Sequence, residues 1–296
     1  MLASAGIHAV RSYEDAATAI GRLDAAGSFA TAGLRELLVL RCIATPSRTP
    51  HTGMIALVRA DGEGDDSLRE YAAALREGTA RARGGALPSV ASLHEALRLP
   101  QPAWNAPPID ELLRDTHERT PPVLKAALVA LALRAAAGSD SDEPVTARLV
   151  ALAVTLVLCV GGATTDAWLT LPESNSADER SLRDTFAALA RDARAAQRGL
   201  LAAQELVESD ERRVHASLGR AAYSALDVLA LLRDKIVVTI PETARALGQT
   251  PPTAGAAIAR LVDLGIAREV TGKARSRAFA YERIVRALEP KTDGAR

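Results

Sequence analysis

"IVVTIPETARALGQTPPTAGAAIARLVDLGIAREVTGKARSRAFAYERI", residues 236–284, carries more structural punctuation than any other part of the 296-residue chain. Residues 240–248, "IPETARALG", read as a helix. Pro241 falls in the first turn, where a missing N–H costs nothing, and Gly248 stops the helix. After a short turn, Thr250 is placed to cap a second helix that Pro251 and Pro252 open. That helix is expected to run to Leu264 and end at Gly265. Ala254, Ile258 and Leu261 recur at helical spacing and predict its buried stripe. Thr253, Ala256 and Arg260 fall on the opposite side. Beyond it, two extended runs are expected to flank a turn at Thr271–Gly272, with Arg268, Lys273, Arg275 and Arg277 on or near the connection. A further amphipathic helix, "AAYSALDVLALLRDK", precedes the whole segment.

Helix, helix, short turn, helix and basic hairpin is the order of a winged helix-turn-helix. The segment resembles the winged-helix regulators of bacteria, whose phrase "TA...I..LV.LGI...VTGK.R.R.Y.Y" it nearly reproduces. The resemblance implies a second helix lying in the major groove of DNA and a basic wing on the phosphates. Residues 236–290 hold eight basic and five acidic residues, so this part is basic within a chain of zero net charge. The expected DNA-binding residues are Thr250, Thr253, Arg260, Lys273, Arg275 and Arg277. Of these, only Arg260 has the reach for a long base contact, and the second helix offers no Asn or Gln for bidentate reading of adenine.

The rest of the chain reads as helical. Hydrophobic residues make up 48% and aromatics only 3%, so the core must be built from Ala, Leu and Val; Ala and Leu above all favour helix. Helices are expected at 12–25, 34–43, 67–83, 89–97, 109–116, 121–136, 145–160 and 181–208. Irregular stretches are expected at 45–53, 60–67 and 98–108, from their prolines, glycines and acids. Cys42 and Cys159 stand far apart, outside any CxxC pattern, and read as small buried residues in a reducing compartment. The N-terminal twenty residues lack the basic start and apolar core of a secretory signal. The most apolar run, Leu149–Ala163, is shorter than the ~20 residues of a membrane span and ends after Gly-Gly. A cytoplasmic protein with no membrane contact is expected.

One place breaks the apolar centre. In "LRAAAGSDSDEPVTARLV", 133–150, a small acidic loop interrupts two Ala- and Leu-rich helices. The wider segment "PPVLKAALVALALRAAAGSDSDEPVTARLV", 121–150, resembles the central segment of the Fic domain family. There a "PPLVKAAL" helix leads to the motif HPFxxGNGRxxR and then to an apolar helix. Pro121, Pro122, Lys125, Ala126, Ala127 and Leu128 match, and Arg148 falls on the last arginine. Similar traces are "AIGRLDA" at 19–25, "SLREYAAALREG" at 67–78 and "LPSVASLHEAL" at 87–97. The resemblance covers most of the chain and implies a helical fold that transfers AMP from ATP to a protein hydroxyl. It also implies a histidine as general base and phosphates held at a helix start.

The departures remove that chemistry. The histidine position is Ala137 and the phenylalanine position is Ser139. The Gly-Asn-Gly-Arg positions are Asp142, Glu143, Pro144 and Val145, which bring two acids and a residue without an N–H to the phosphate cradle. Two like charges about 4 Å apart repel by roughly 4 kcal/mol near a protein surface. The family's inhibitory SSxIEG helix has its nearest counterpart in "PSRTPH", 46–51, with Pro50 at the glutamate position. No other chemistry is indicated. The histidines at 8, 51, 94, 117 and 215 have no ligand spacing, "VTGKA" lacks the phosphate-loop glycine and terminal Ser/Thr, and "VGGATTDAW" is not a dinucleotide fingerprint.

The sequence therefore predicts an all-α protein: a Fic-like helical domain over 1–180 with a degenerate motif, a helical connector over 181–219, and a winged helix-turn-helix with a small β-hairpin wing over 220–290. The expected function is a DNA-binding transcriptional regulator whose Fic-like part is catalytically inactive and serves partner binding, ligand binding or oligomerisation. Alternatives are a protein-interaction pseudoenzyme that does not bind DNA and a residual AMP or phosphoryl transferase. No catalytic residue, metal ligand or cofactor is assigned. Double-stranded DNA is the expected partner, with a second copy of the chain or another protein as further candidates.

Overall fold

The computed structural model describes residues 2–44, 54, 55, 58, 66–85, 88–99, 107–114, 120–137, 143–166, 168, 169, 181–272 and 275–289. They are mostly helical, with one small sheet. The helices are α1 (Leu2–Ser28), α2 (Ala32–Ala44), α3 (Asp66–Arg83), α4 (Val90–Ala96), α5 (Pro107–Arg114), α6 (Pro122–Ala137), α7 (Glu143–Val160) and α8 (Leu182–Leu218). There follow α9 (Ala222–Lys235), β1 (Val237–Thr239), α10 (Ile240–Leu247), α11 (Pro251–Asp263), β2 (Arg268–Glu269), β3 (Ala278–Ala280) and α12 (Glu282–Leu288). Among the described residues no helix is long and apolar enough to cross a membrane.

Two compact units emerge. One comprises Met1–Ser28, Leu38–Thr49 and Gly64–Gln197; the other comprises Phe29–Leu37, Pro50–Glu63 and Arg198–Arg296. Helices α2 and α8 each contribute residues to both.

The first unit is built on α6 and α7. Val123, Ala126, Ala127, Val129, Ala130 and Leu133 of α6 are buried, as is every residue of α7 from Leu149 to Cys159. A helix buried on all sides needs no polar face, which explains the apolar run of α7; the Thr155 hydroxyl within that run donates to the Leu169 carbonyl at 2.9 Å. Helix α3 packs closely on it: a methyl group on Gly78 would stand 3.0 Å from a Leu156 methyl.

The charged residues inside this unit are tied down. Lys125 is fully buried, and its Nζ donates to the Leu113 carbonyl at 2.8 Å. That carbonyl lies in the last turn of α5, where such groups lack a helical partner. Arg41 and Asp192 form a buried ion pair. Burial depresses the Arg41 pKa, but the Asp192 carboxylate outweighs it and leaves the guanidinium above its ordinary value. Asp24 Oδ1 accepts from the Thr165 backbone N–H (2.6 Å), the Thr165 hydroxyl (2.9 Å) and Trp168 Nε1 (2.6 Å), bolting the segment after α7 to α1. Cys42 and Cys159 are buried and are not joined in a disulfide.

Several expectations need adjusting. Helix α1 begins ten residues before the expected start at 12, and α8 continues ten residues past 208. The apolar stretch 124–131 is not buried throughout, and Leu128 is only half-buried. A helix has more faces than neighbours, and this one leaves Leu124, Leu128 and Leu131 partly open. Leu133→Ala, at a fully buried position, is therefore expected to cost about 2–5 kcal/mol. Leu128→Ala should cost clearly less in the same urea titration, and equal costs would contradict this burial pattern.

The second unit holds the three-stranded sheet, in the order β1-β3-β2, both pairings antiparallel. Val237, Val238 and Thr239 face Ala280, Phe279 and Ala278, while Arg268 and Glu269 face Ala280 and Phe279. Strand β1 and helix α12 were not foreseen. Ile236 joins α9 to β1 with φ 65°, a region β-branched residues avoid. Its N–H donates to the Leu232 carbonyl (2.8 Å) and its own carbonyl accepts from the Tyr281 N–H (2.9 Å). The buried side chain and these two bonds offset the strain.

Candidate nucleic-acid interface

Helices α10 and α11 are set by local chemistry. Thr239 caps α10 through the Glu242 N–H (3.3 Å), and Gly248 leaves it at φ 63°, where a Cβ is costly. Thr250 caps α11 through the Thr253 N–H (3.4 Å), and its hydroxyl also meets the Thr253 hydroxyl at 2.8 Å. Ala254, Ala257, Ile258 and Leu261 are buried and fix which side faces inward. Pro251, Pro252, Thr253, Ala256, Ala259 and Asp263 are left exposed.

Arg260 differs from the free base-reader of the sequence reading. It is half-buried, and its Nη1 reaches the Ser224 hydroxyl of α9 at 3.4 Å. The outward side of α11 therefore presents hydroxyls, methyls and pyrrolidine rings, with the Asp263 carboxylate at its C-terminal end and one arginine leaning toward α9.

The connection between β2 and β3 carries the cations. Arg275 and Arg277 are exposed, and Arg277 places its Cζ 5.2 Å from the centre of the Phe279 ring, a cation–π contact. Lys273 lies outside the described residues. Strand β3 starts at Ala278, and Ser276 sits at φ 56°, so strand alternation does not set the directions of Arg275 and Arg277. Arg268, two-thirds exposed, is held by Glu282 at 3.0 and 3.4 Å, and Arg286 shares that carboxylate at 2.5 Å. Burial raises the Glu282 pKa, but the bonds from Arg286 and Arg268 prevail and keep it below the ordinary carboxylate range. Glu269 is also held low, first by the Thr271 hydroxyl and then by the backbone N–H groups of Thr271 and Gly272. These bonds pin the base of the connection and leave its arginines outward.

The part of α8 from Arg198 on is held within the same unit. The Tyr281 hydroxyl donates to Asp210 Oδ2 at 2.7 Å, and Arg283 Nη1 bonds both oxygens of that buried carboxylate at 2.7 and 2.9 Å. Burial, then the Asp210 bond, pushes the Tyr281 phenol well above its ordinary pKa, so it stays a donor.

In the first unit, Ala137 ends α6 half-buried, and Val145 and Arg148 stand half-buried in the first turns of α7. Ser139, Asp140, Asp142 and Pro50 lie outside the described residues. Elsewhere in this unit, a cleft of about 350 Å³ is lined by Arg11, Arg22 and Arg194 together with Glu14 and Asp15. Arg194 is already paired with Asp15, and the mixed charge singles out no ligand class. No family model matches the sequence, and no curated protein matches it.

Proposed function

We propose that the chain is a DNA-binding transcriptional regulator of winged helix-turn-helix type, joined to a Fic-like helical domain that has lost catalysis and serves partner binding, ligand binding or oligomerisation. The observation that carries the DNA reading is the pair Arg275 and Arg277, exposed on a pinned hairpin connection in the unit that also leaves the outward side of α11 uncovered. Guanidinium groups in that setting suit phosphate contact, which positions a protein on a duplex, while α11 offers short groups to base edges. The test is a binding titration of the full chain on labelled duplexes at several salt concentrations. Binding that weakens as salt rises supports the reading; no binding at low salt overturns it.

A second reading, a protein-interaction module, draws on the short side chains of α11 and on the hold that Ser224 has on Arg260. The same titration separates the two.

The loss of catalysis rests on Ala137, a methyl group that accepts no proton, and on the acids at 142 and 143 where phosphate would sit. Incubated with labelled ATP, Mg²⁺ and a cell lysate, the protein is expected to transfer no more label than a heat-denatured sample. Ala137→His alone should stay inactive, because the anion cradle is also gone. Time-dependent labelling by the wild type overturns this.

A further inference from the structure

Aromatic residues are scarce, with only four tyrosines in the chain. Tyr71 and Tyr281 are buried and Tyr13 is half-buried, with its ring against Phe186. Tyr223 is the exception at 74% exposure, in the first turn of α9. Three residues earlier, on the short 3-10 turn Gly219–Ala221 that leads into α9, Arg220 is exposed too. Neither side chain has an ion pair or hydrogen bond among the described residues.

Their position follows from one bond. Ser224, the next residue after Tyr223, donates to the Ala221 carbonyl at 3.3 Å and accepts from Arg260 Nη1 at 3.4 Å. Arg260 lies on α11 between exposed Ala259 and the exposed C-terminal Asp263. The first turn of α9 therefore lies beside Arg260 of α11, and Arg220 and Tyr223 are the exposed residues at that end of α9. This deepens the DNA reading above and rests on it. A helix in the major groove has a phosphate strand along each of its sides.

We infer that Arg220 and Tyr223 form a second phosphate anchor on double-stranded DNA, beside α11 and separate from the wing arginines. The guanidinium supplies charge and paired N–H donors, and the phenol supplies a neutral O–H donor, both suited to phosphate oxygens. Asp227, exposed one turn further along α9, opposes an anion there, so the contact is assigned to the start of the helix.

The two residues predict different signatures. Full-length wild type, Arg220→Ala, Arg220→Lys, Tyr223→Phe and the double variant Arg275→Ala/Arg277→Ala are titrated on a preferred and a scrambled duplex at three salt concentrations. Arg220→Ala should weaken binding equally on both duplexes and flatten the slope of log affinity against log salt by roughly 0.9. Arg220→Lys should restore the slope. Tyr223→Phe keeps the ring and should weaken binding about tenfold with no change of slope, because the lost donor is neutral. If Arg220→Ala and Tyr223→Phe bind like the wild type while the wing variant is weakened, this anchor is overturned and the DNA reading stands. If the wild type binds no duplex, the DNA reading falls and the anchor with it.

Discussion

Gly33→Ala is expected to destabilise the protein by about 3–5 kcal/mol and to lower its melting temperature by roughly 10 °C. Gly33 lies in α2, where its backbone meets the end of α9. A Cβ there would stand 2.8 Å from the Arg233 carbonyl carbon and 2.9 Å from Asp234 Cα, and closer still to the Arg233 carbonyl oxygen. All three are backbone atoms, so no side-chain rotation relieves the clash. Either helix must shift, and both carry core: Leu34 and Leu37 on α2 and Val228, Leu229 and Leu232 on α9 are buried. Domains are stable by only about 5–15 kcal/mol, so the loss is a large share. Gly21→Ala, in α1, is the control. It is exposed, a Cβ meets nothing within 4 Å, and the change should stabilise by about 0.5–1 kcal/mol. Thermal melts followed by circular dichroism measure both. A Gly33→Ala melt at or above that of the wild type would show that the two helices do not approach this closely.

That close approach left no trace in the sequence. Gly33 and Gly199, whose Cβ would stand 2.8 Å from the Ala287 carbonyl oxygen, read there as ordinary small residues. Where structure is fixed by chemistry within a few residues, the sequence was legible. Thr250, Pro251 and Pro252 mark the start of α11, Gly248 marks the end of α10, and the stripe of Ala254, Ile258 and Leu261 gives the buried side. Where a distant partner decides, it was not. Val237–Thr239 is too short to show alternation, and it is a strand because β3, some forty residues on, pairs with it. The Arg41–Asp192 pair joins residues 151 positions apart and has no local signal. At the candidate interface the sequence identified the residue types but not their directions. Arg260 leans on Ser224, Arg268 is held by Glu282, and Ser276 sits at φ 56° ahead of the strand that begins at Ala278.

Those directions shape the second large effect. Replacing Lys273, Arg275 and Arg277 together by alanine is expected to weaken binding to every duplex alike, because phosphates carry no sequence information. Each phosphate contact contributes roughly 0.9 to the slope of log affinity against log salt. With all three engaged, the advantage of the wild type over the triple variant should shrink about 40-fold between about 50 and 200 mM salt. Arg268 supplies an internal comparison. Its guanidinium is already committed to Glu282, so Arg268→Ala should change the slope by less than any single wing substitution. Thr253→Ala should behave in the opposite manner. Thr253 is exposed on the outward side of α11, and a direct base contact there would make its loss relax preference at one position by about 1–3 kcal/mol with the salt slope unchanged. Titrations on specific and scrambled duplexes separate these outcomes. If the triple variant binds as tightly as the wild type with the same slope, the connection between β2 and β3 is not on DNA. The unit is then better read as a protein-interaction module, and the cation–π contact of Arg277 with Phe279 becomes a way of holding that arginine for a different partner.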